Sequence, residues 1–106
     1  MYVFNLTEER WSKMLQKGEL PGGRHSHTRV AFEGEVVIFG GMVSTMANTD
    51  QLHVMDIHSG EWKKPSVVSS PKAIDSHKAC VWKNKMVVAT GYSEDDYTSN
   101  IYALDL

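Results

Sequence analysis

The sequence predicts an all-β protein built from a repeated unit of four short strands. Blocks of similar sequence recur at a spacing of about fifty residues. The apolar runs between these blocks are short and end at turn-forming residues, which is typical of strands. The best candidate for a helix, Glu8–Lys17, corresponds to a stretch of the next repeat that holds Gly60 and Pro65, so it is also assigned to turn and strand.

One block contains the start of the unit and its central strand. Pro21–His27 aligns with Pro71–His77 at an offset of 50, and Val36–Gly41 aligns with Met86–Gly91 in the same register. An internal repeat of this length is a property of the whole fold and takes precedence over local propensity. The sequence therefore predicts at least two consecutive copies of one structural unit.

A second block occurs three times and contains the end of the unit. Val3–Trp11 matches Val54–Trp62 at an offset of 51, and Ala103–Leu106 matches Val54–Ile57 at an offset of 49. The chain thus begins and ends within the same kind of strand. The three copies in one order make a chance origin of the repeat improbable.

The repeat predicts four strands for the first full unit and three for the next. Two stretches between strands, Met42–Asp50 and Tyr92–Ser99, are predicted as irregular loops, as are Leu15–Gly23 and Lys64–Asp75. The predicted strands are His27–Phe32, Val36–Phe39, Gln51–Ile57, a strand around Trp62, His77–Trp82, Lys85–Ala89 and Ile101–Leu106.

The central strands are apolar at consecutive positions. Val36–Phe39 and Met86–Ala89 lack the alternation of a strand with one wet face. Consecutive apolar residues are compatible with burial of both faces. The pattern therefore favours sheets stacked as the blades of a β-propeller.

Composition excludes several functional classes. With 11 Lys and Arg against 13 Asp and Glu, the net charge is −2, which argues against a nucleic-acid footprint or a polybasic membrane anchor. The longest uncharged stretch, Val36–Thr49, contains two glycines and is too short to span a bilayer. With a single cysteine and no signal-peptide pattern at the start, we expect a soluble, cytoplasmic protein.

The motifs resemble those of the kelch repeat, the unit of one class of β-propellers. The opening motif, the diglycine strand and the closing Asp-to-Trp motif are carried by Pro21, Arg24, His27, Val36–Gly41, Met55-Asp56 and Trp62, with Phe4-Asn5 and Trp11 in the preceding repeat. The second copy has Thr90-Gly91 in place of the diglycine and Ile74 in place of the arginine. The resemblance implies kelch-type blades of four antiparallel strands.

On this reading the chain holds an incomplete propeller. Residues 1–20 are the end of one blade, residues 21–70 form one full blade, and residues 71–106 form three strands of the next. Propellers close with about four to eight blades. We therefore expect either a segment of a longer kelch protein or copies that assemble into a ring, and the strand duplicated at the two ends favours the segment.

Most of the signature residues have structural explanations. Glycines at strand ends allow a positive φ or a close backbone approach, tryptophans supply packing area between blades, and aspartates at strand ends bond nearby amides. These structural residues are Gly40, Gly41, Gly91, Trp11, Trp62, Asp56 and Asp105.

Catalysis and metal binding are the weaker hypotheses. His25 and His27 would share one face of a strand, and Asp75 or His77 would have to complete a metal site. Cys80 lies in an apolar strand, where a thiol is usually inert packing. We therefore predict no catalytic residue, no metal and no cofactor, although some kelch propellers are copper oxidases or iron-dependent plant proteins.

The loops are where a propeller carries its specificity. The candidate partner-binding residues are Arg24, His25, Met42, Ser44, Asn48, Tyr92, Asp95 and Tyr97, of which Arg24, Met42 and Tyr92 follow from the kelch resemblance. The predicted function is protein–protein interaction or scaffolding, with the remaining blades or other copies as further partners and with neither nucleic acid nor membrane. The alternatives are a structural subunit of a large assembly and a segment of a metal-dependent enzyme.

Overall fold

The structure is a computed structural model that describes residues 1–94 and 96–106. This part of the chain forms β-strands joined by turns and contains no helix long and apolar enough to cross a membrane. In chain order the strands are β1 (Tyr2–Asn5), β2 (Arg10–Lys13), β3 (Lys17–Gly18), β4 (Thr28–Phe32), β5 (Glu35–Phe39), β6 (Met42–Ser44), β7 (Ala47–Asn48), β8 (Leu52–Asp56), β9 (Glu61–Lys63), β10 (Lys78–Trp82), β11 (Lys85–Ala89), β12 (Tyr92–Ser93), β13 (Asp96–Tyr97) and β14 (Ile101–Asp105).

The first full sheet contains the four predicted antiparallel strands. Strands β4, β5, β8 and β9 are neighbours in that order, and Val37 of β5 pairs with Val30 on one side and Val54 on the other. Between β4 and β5 the chain turns at Glu33 and Gly34, which both have positive φ, as tight hairpin turns require. The sheet is therefore a blade of the expected kind.

The second sheet repeats this register with three strands in the described residues. Strand β11 lies between β10 and β14, and its Val88 pairs with Ala79 and Tyr102. The all-β fold and its sheets of antiparallel strands, predicted from the repeat, are confirmed, and the described residues form no closed ring.

The main hydrophobic core lies between the two sheets. Because side chains alternate along a strand, Val37 and Phe39 of β5 face the second sheet, while Val36 and Ile38 face the other way. The buried core residues are Val30, Val37, Phe39, Leu52, Ile74, Met86 and Val88. Burying one such side chain fully stabilises the fold by about 1.5–3 kcal/mol.

The opposite face of the first sheet has a second buried cluster. Met55 is fully buried and Trp62, its partner in register, is 2% exposed. Residues 14–20, here called the strap, lie against Trp62: Trp62 Nε1 donates to Gln16 Oε1 at 2.8 Å, and β3 of the strap pairs in parallel with β9. The sequence analysis left Leu15–Gly23 as a loop, so this strand is a correction.

Two other predicted loops also contain strands. Within Met42–Asp50 and Tyr92–Ser99, the chain forms the small hairpins β6–β7 and β12–β13. Neither segment has a Gly-containing or Pro-containing turn dipeptide, which is the signal that reveals a hairpin in a sequence.

Two side chains are more exposed than their sequence context predicts. Cys80 is exposed, because its neighbour Ala79 faces the core and successive side chains of β10 point to opposite faces. The prediction that the thiol is packed inside the fold was therefore wrong. Trp11 is 66% exposed and its ring meets that of Phe4 at 5.1 Å, so it does not pack between blades in this chain.

Candidate partner-binding face

The diglycine connects the first sheet to the segment that opens the second. The Gly41 amide donates to the Ile74 carbonyl at 2.8 Å, and both glycines have positive φ. A Cβ on Gly40 would lie 2.6 Å from the Ile74 carbonyl oxygen and 2.7 Å from His77 Cε1. The close approach of the two repeats thus requires glycine at this position.

Each hairpin that follows a central strand is fixed to the opening segment of its own repeat. His25 and Met42 exchange two backbone hydrogen bonds of 3.1 and 2.8 Å, and Asp75 and Tyr92 exchange an equivalent pair of 3.0 and 2.9 Å. The β6–β7 and β12–β13 hairpins therefore project from the same end of their sheets. We call the surface formed by these two hairpins the hairpin face.

Asn48 holds the two hairpins together. Its side-chain amide donates to Asp75 Oδ2 at 3.0 Å and to the Tyr92 carbonyl at 3.1 Å. Asp75 is 6% exposed, and its other oxygen accepts from Ser76 Oγ at 2.7 Å. Its donors are used between the repeats, so Asn48 positions the hairpin face, and its contact with a partner stays a prediction.

Arg24 is likewise occupied within the molecule. Its Nε donates to the Gly22 carbonyl at 3.2 Å, Nη1 to the Gly40 carbonyl at 3.3 Å and Nη2 to Gln51 Oε1 at 3.3 Å. The half-buried guanidinium thus ties the end of β5 to the start of β8. Its role in the structure is that of a connector, and its contact with a ligand stays a prediction.

The outward-facing side chains lie on the hairpins themselves. Met46 is 94% exposed and Tyr97 is 84% exposed, with the Tyr97 ring packed edge-on against Tyr92 at 5.2 Å. His25, Val43 and Ser44 are also exposed, whereas Met42 and Tyr92 are half-buried. Val43 is a member that the sequence analysis missed, and the candidate Asp95 lies outside the described residues. Asp75, Ser76, Thr90, Gly91, Tyr92 and Tyr97 line a polar depression beside this face.

Comparison with known proteins identifies the repeat. The model of the KLHDC2/KLHL20/DRC7 Kelch-repeats domain matches residues 1–106. The chain belongs to the kelch-repeat family.

Several curated kelch-repeat relatives match most of this chain. Protein tag-53 of Caenorhabditis elegans is 31% identical over 103 residues, covering 86% of this chain and 8% of that protein. Kelch domain-containing protein 3 of Bos taurus is 28% identical over 116 aligned residues, covering 99% and 30%. Dynein regulatory complex subunit 7 of Chlamydomonas reinhardtii is 28% identical over 96 residues, covering 86% and 8%. The chain therefore spans less than a third of each of these relatives.

Some of the kelch signature residues have the structural role expected from the sequence, and others do not. Gly91 has a φ of 117° at the repeat position of Gly41, and Asp56 Oδ1 accepts from the Ser59 amide at 2.6 Å. That hydrogen bond lowers the pKa of Asp56 below its ordinary value. Asp105 instead contacts Lys85 Nζ, and Trp11 is exposed, as described above.

The histidines of the kelch repeats do not form a metal centre in the described residues. Strand β4 begins at Thr28, and Ser26 has a φ of 57°, so His25 and His27 do not share the face of a strand as predicted. No group of three or more His, Cys, Asp or Glu side chains converges in residues 1–94 and 96–106.

The buried histidines have a structural position. His77 is 2% exposed, its Nε2 lies 2.7 Å from Thr28 Oγ1 across the repeat boundary, and its ring meets that of Phe39 edge-on. Burial lowers the pKa of His77 and, together with nearby Arg24, the pKa values of His27 and His53. Their Nδ1 atoms are buried without a hydrogen-bond partner in the described part of the chain, which favours the neutral form.

Proposed function

We propose that this kelch segment is a protein–protein recognition module that binds its partner through the hairpin face. The observation that carries the proposal is the pair of hydrogen bonds from Asn48 to Asp75 and to Tyr92. They join hairpins from two successive repeats into one surface before any partner arrives. A surface ordered in advance loses less entropy on binding.

The side chains of this face suit a protein partner. Met46 and Tyr97 are the most exposed large side chains on the two hairpins, and methionine and tyrosine are enriched at protein interfaces. Tyr97 is also supported by the ring of Tyr92. A rigid aromatic on one hairpin and an adaptable methionine on the other can supply binding energy from few residues.

A permanent structural role is the second candidate. One relative is named as a subunit of the dynein regulatory complex. If the same use applies to this chain, the hairpin face is covered by a neighbouring subunit throughout. Exchange of the partner on dilution separates the two roles, since a recognition module releases its partner and an assembly subunit retains it.

We further propose that the chain is not an enzyme. Binding is favoured because the described residues of the hairpin face, which leave out position 95, present contact side chains and not a convergent acid, base and nucleophile. Elemental analysis of the purified chain tests the metal-dependent alternative, and a stoichiometric bound transition metal would overturn the proposal. The cytoplasmic location and the lack of nucleic-acid binding stay predictions from composition.

A comparison of matched surface variants tests the partner-binding face. Proteins captured by the wild-type chain are identified by mass spectrometry, and a purified partner is then titrated against the variants. We expect the double variant Met46→Ala with Tyr97→Ala to weaken binding by at least about tenfold, the size expected for losing central contacts. Leu15→Ala, at a side chain 87% exposed on the strap, is the control. Equal binding by both variants would contradict the assignment of the face.

A further inference from the structure

His77 is buried where the first full repeat meets the second, next to the diglycine. Its side chain is 2% exposed, and its ring packs edge-on against that of Phe39 with 5.5 Å between the ring centroids. His77 Cε1 also lies 2.7 Å from the point that a Cβ on Gly40 would occupy. The ring therefore fills the space between the end of β5 and the opening segment of the second repeat.

One of the two ring nitrogens of His77 has no hydrogen-bond partner in the described part of the chain. Nε2 lies 2.7 Å from Thr28 Oγ1, at the first residue of β4, whereas Nδ1 is buried without a partner. A neutral imidazole carries one N–H and an imidazolium carries two. Protonation would therefore place a charge in a buried site where only one of the two ring nitrogens has a partner, which is costly.

Two groups near His77 favour its charged form, but they do not outweigh burial. Burial lowers the pKa of His77 below its ordinary value, while the Phe39 carbonyl and the Asp75 carboxylate raise it. Asp75 is itself 6% exposed, and its oxygens already accept hydrogen bonds from Asn48 and Ser76. The carboxylate therefore has its own partners, and the net effect favours the neutral ring.

The other titratable groups that face His77 in the described residues are cationic or become cationic as the pH falls. His27 in the opening segment of the first repeat and Lys78 at the start of β10 both lower the pKa of His77. Burial, Arg29 and Arg24 in turn lower the pKa of His27. A charge on His77 is thus opposed from both repeats.

Several hydrogen bonds that join the two repeats are made by the three residues just before His77. These bonds run from the Ser76 amide to the Ser26 carbonyl (2.9 Å), from the Gly41 amide to the Ile74 carbonyl (2.8 Å), from the Ile74 amide to the Thr49 carbonyl (3.3 Å) and from the Asn48 side-chain amide to Asp75 Oδ2 (3.0 Å). Water that solvates a charged His77 has to enter beside these bonds. Opening this boundary would therefore also release the contact that joins the two hairpins of the hairpin face.

The core between the sheets does not take part in the titration. Its buried residues are all apolar and include Val37 of β5 and Val88 of β11. Each of these central strands pairs with neighbours in its own sheet, β5 with β4 and β8, and β11 with β10 and β14. A proton on His77 therefore acts on the hairpin end of the boundary more than on the sheets.

We propose that His77 is a pH switch at the repeat boundary: its protonation opens this boundary and separates the two hairpins, while both sheets stay folded. The open boundary binds the additional proton, so the closed one is favoured at high pH and lost as the pH falls below about 6.5. The effect on partner binding rests on the proposed function of the hairpin face. The opening itself does not.

Amide hydrogen exchange, followed residue by residue by NMR at about pH 7.5 and about pH 5.5, tests the opening. After correction for intrinsic rates, the amides of Gly41, Ile74 and Ser76 should lose at least about tenfold more protection at the lower pH than those of Val37 and Val88. Equal loss at both sets of amides would mean global unfolding, and no loss would mean a closed boundary. Either result would overturn the proposal.

Two histidine variants identify the group responsible. His77→Gln removes the titration, so protection of the boundary amides relative to the sheet amides should no longer depend on pH. His53→Gln is the matched control, because His53 is 3% exposed and its Nδ1 also lacks a partner in the described residues, but its side chain shares the face of β8 that carries Met55. A pH response that persists in His77→Gln, or that His53→Gln abolishes, would contradict the assignment to His77.

The ring of His77 can also be titrated directly by NMR in the wild-type chain, which keeps the test independent of how well a variant folds. The midpoint should lie below the ordinary value of about 6.5 and coincide with the loss of protection at the boundary. A midpoint above that value would overturn the proposal.

Partner binding separates this proposal from the proposed function. The partner captured by the wild-type chain should bind at least about tenfold more weakly at about pH 5.5 than at about pH 7.5, and His77→Gln should remove this difference. If the boundary opens while affinity stays constant, the hairpin face is not the binding surface and the proposed function is wrong. If the boundary stays closed, the pH switch is wrong and the proposed function is unaffected.

Discussion

Replacing Gly40 with alanine tests how strongly the stability of the contact between successive repeats depends on the diglycine. Gly40 has a φ of 68°, where an L residue costs about 1–2 kcal/mol. The new Cβ would also lie 2.6 Å from the Ile74 carbonyl oxygen and 2.7 Å from His77 Cε1. Relieving such overlap in a packed site costs about 1–3 kcal/mol more.

The unfolded chain offsets part of this cost. Alanine restricts the unfolded state more than glycine does, which returns about 0.4–1 kcal/mol. We therefore expect Gly40→Ala to lower the free energy of unfolding by about 1–4.5 kcal/mol. Equilibrium urea unfolding, followed by tryptophan fluorescence and far-UV circular dichroism at one fixed oligomeric state, measures the change.

The second repeat provides the matched control. Thr90 occupies the repeat position of Gly40, has a φ of 60° and already carries a Cβ, so Thr90→Ala should change stability by no more than about 0.5 kcal/mol. Thr90→Gly should be neutral or stabilising. If Gly40→Ala proved as mild as Thr90→Ala, the close contact between the repeats would not be a constraint on stability.

Three other perturbations test the remaining assignments. The folded pKa values of His27, His53 and His77 lie below the ordinary value of about 6.5, so protonation favours the unfolded chain. Stability should be full above about pH 6.5 and fall as the pH is lowered below it, and His77→Gln should flatten this dependence in urea titrations. Arg24→Lys loses the forked contacts to Gly40 and Gln51 and should destabilise by about 1–2 kcal/mol, while a partner bound at the hairpin face keeps its affinity; the reverse result would return Arg24 to the binding surface. Cys80, exposed on β10, should react with a thiol reagent in the native chain nearly as fast as in urea, and strong native protection would mean that this face is covered.

The sequence predicts the blade because the repeat encodes local chemistry. Apolar runs define β5 and β11. The turn at Glu33 and Gly34 fixes the register in which β4 pairs with β5. The apolar stretch Val36–Phe39 also predicts correctly that both faces of β5 face protein. These features depend on residues close together in the chain, which a pattern can reveal.

The sequence does not predict the contacts that join distant segments. The parallel pairing of β3 with β9 connects residues 17–18 with residues 61–62, and two residues are too short a strand to leave a pattern. Arg24 and Asn48, two of the predicted partner-binding residues, are polar side chains in loops. Such side chains can face either solvent or another loop. Only the coordinates show that their donors are used within the molecule, and the same holds for the exposure of Cys80 and Trp11.

The position of the strap has a consequence for how such chains are cut and duplicated. Because residues 14–20 cover Trp62 of the sheet that follows them, a boundary placed between the strap and β4 separates that sheet from its cover. A recombinant fragment starting at residue 21 would lose the cover of its outer strand, whereas one starting at residue 14 would retain it. A gene duplication that preserves packing therefore copies the segment from the strap to the outer strand, roughly residues 14–63. This segment is a circular permutation of the repeat over residues 21–70 that the sequence analysis defines.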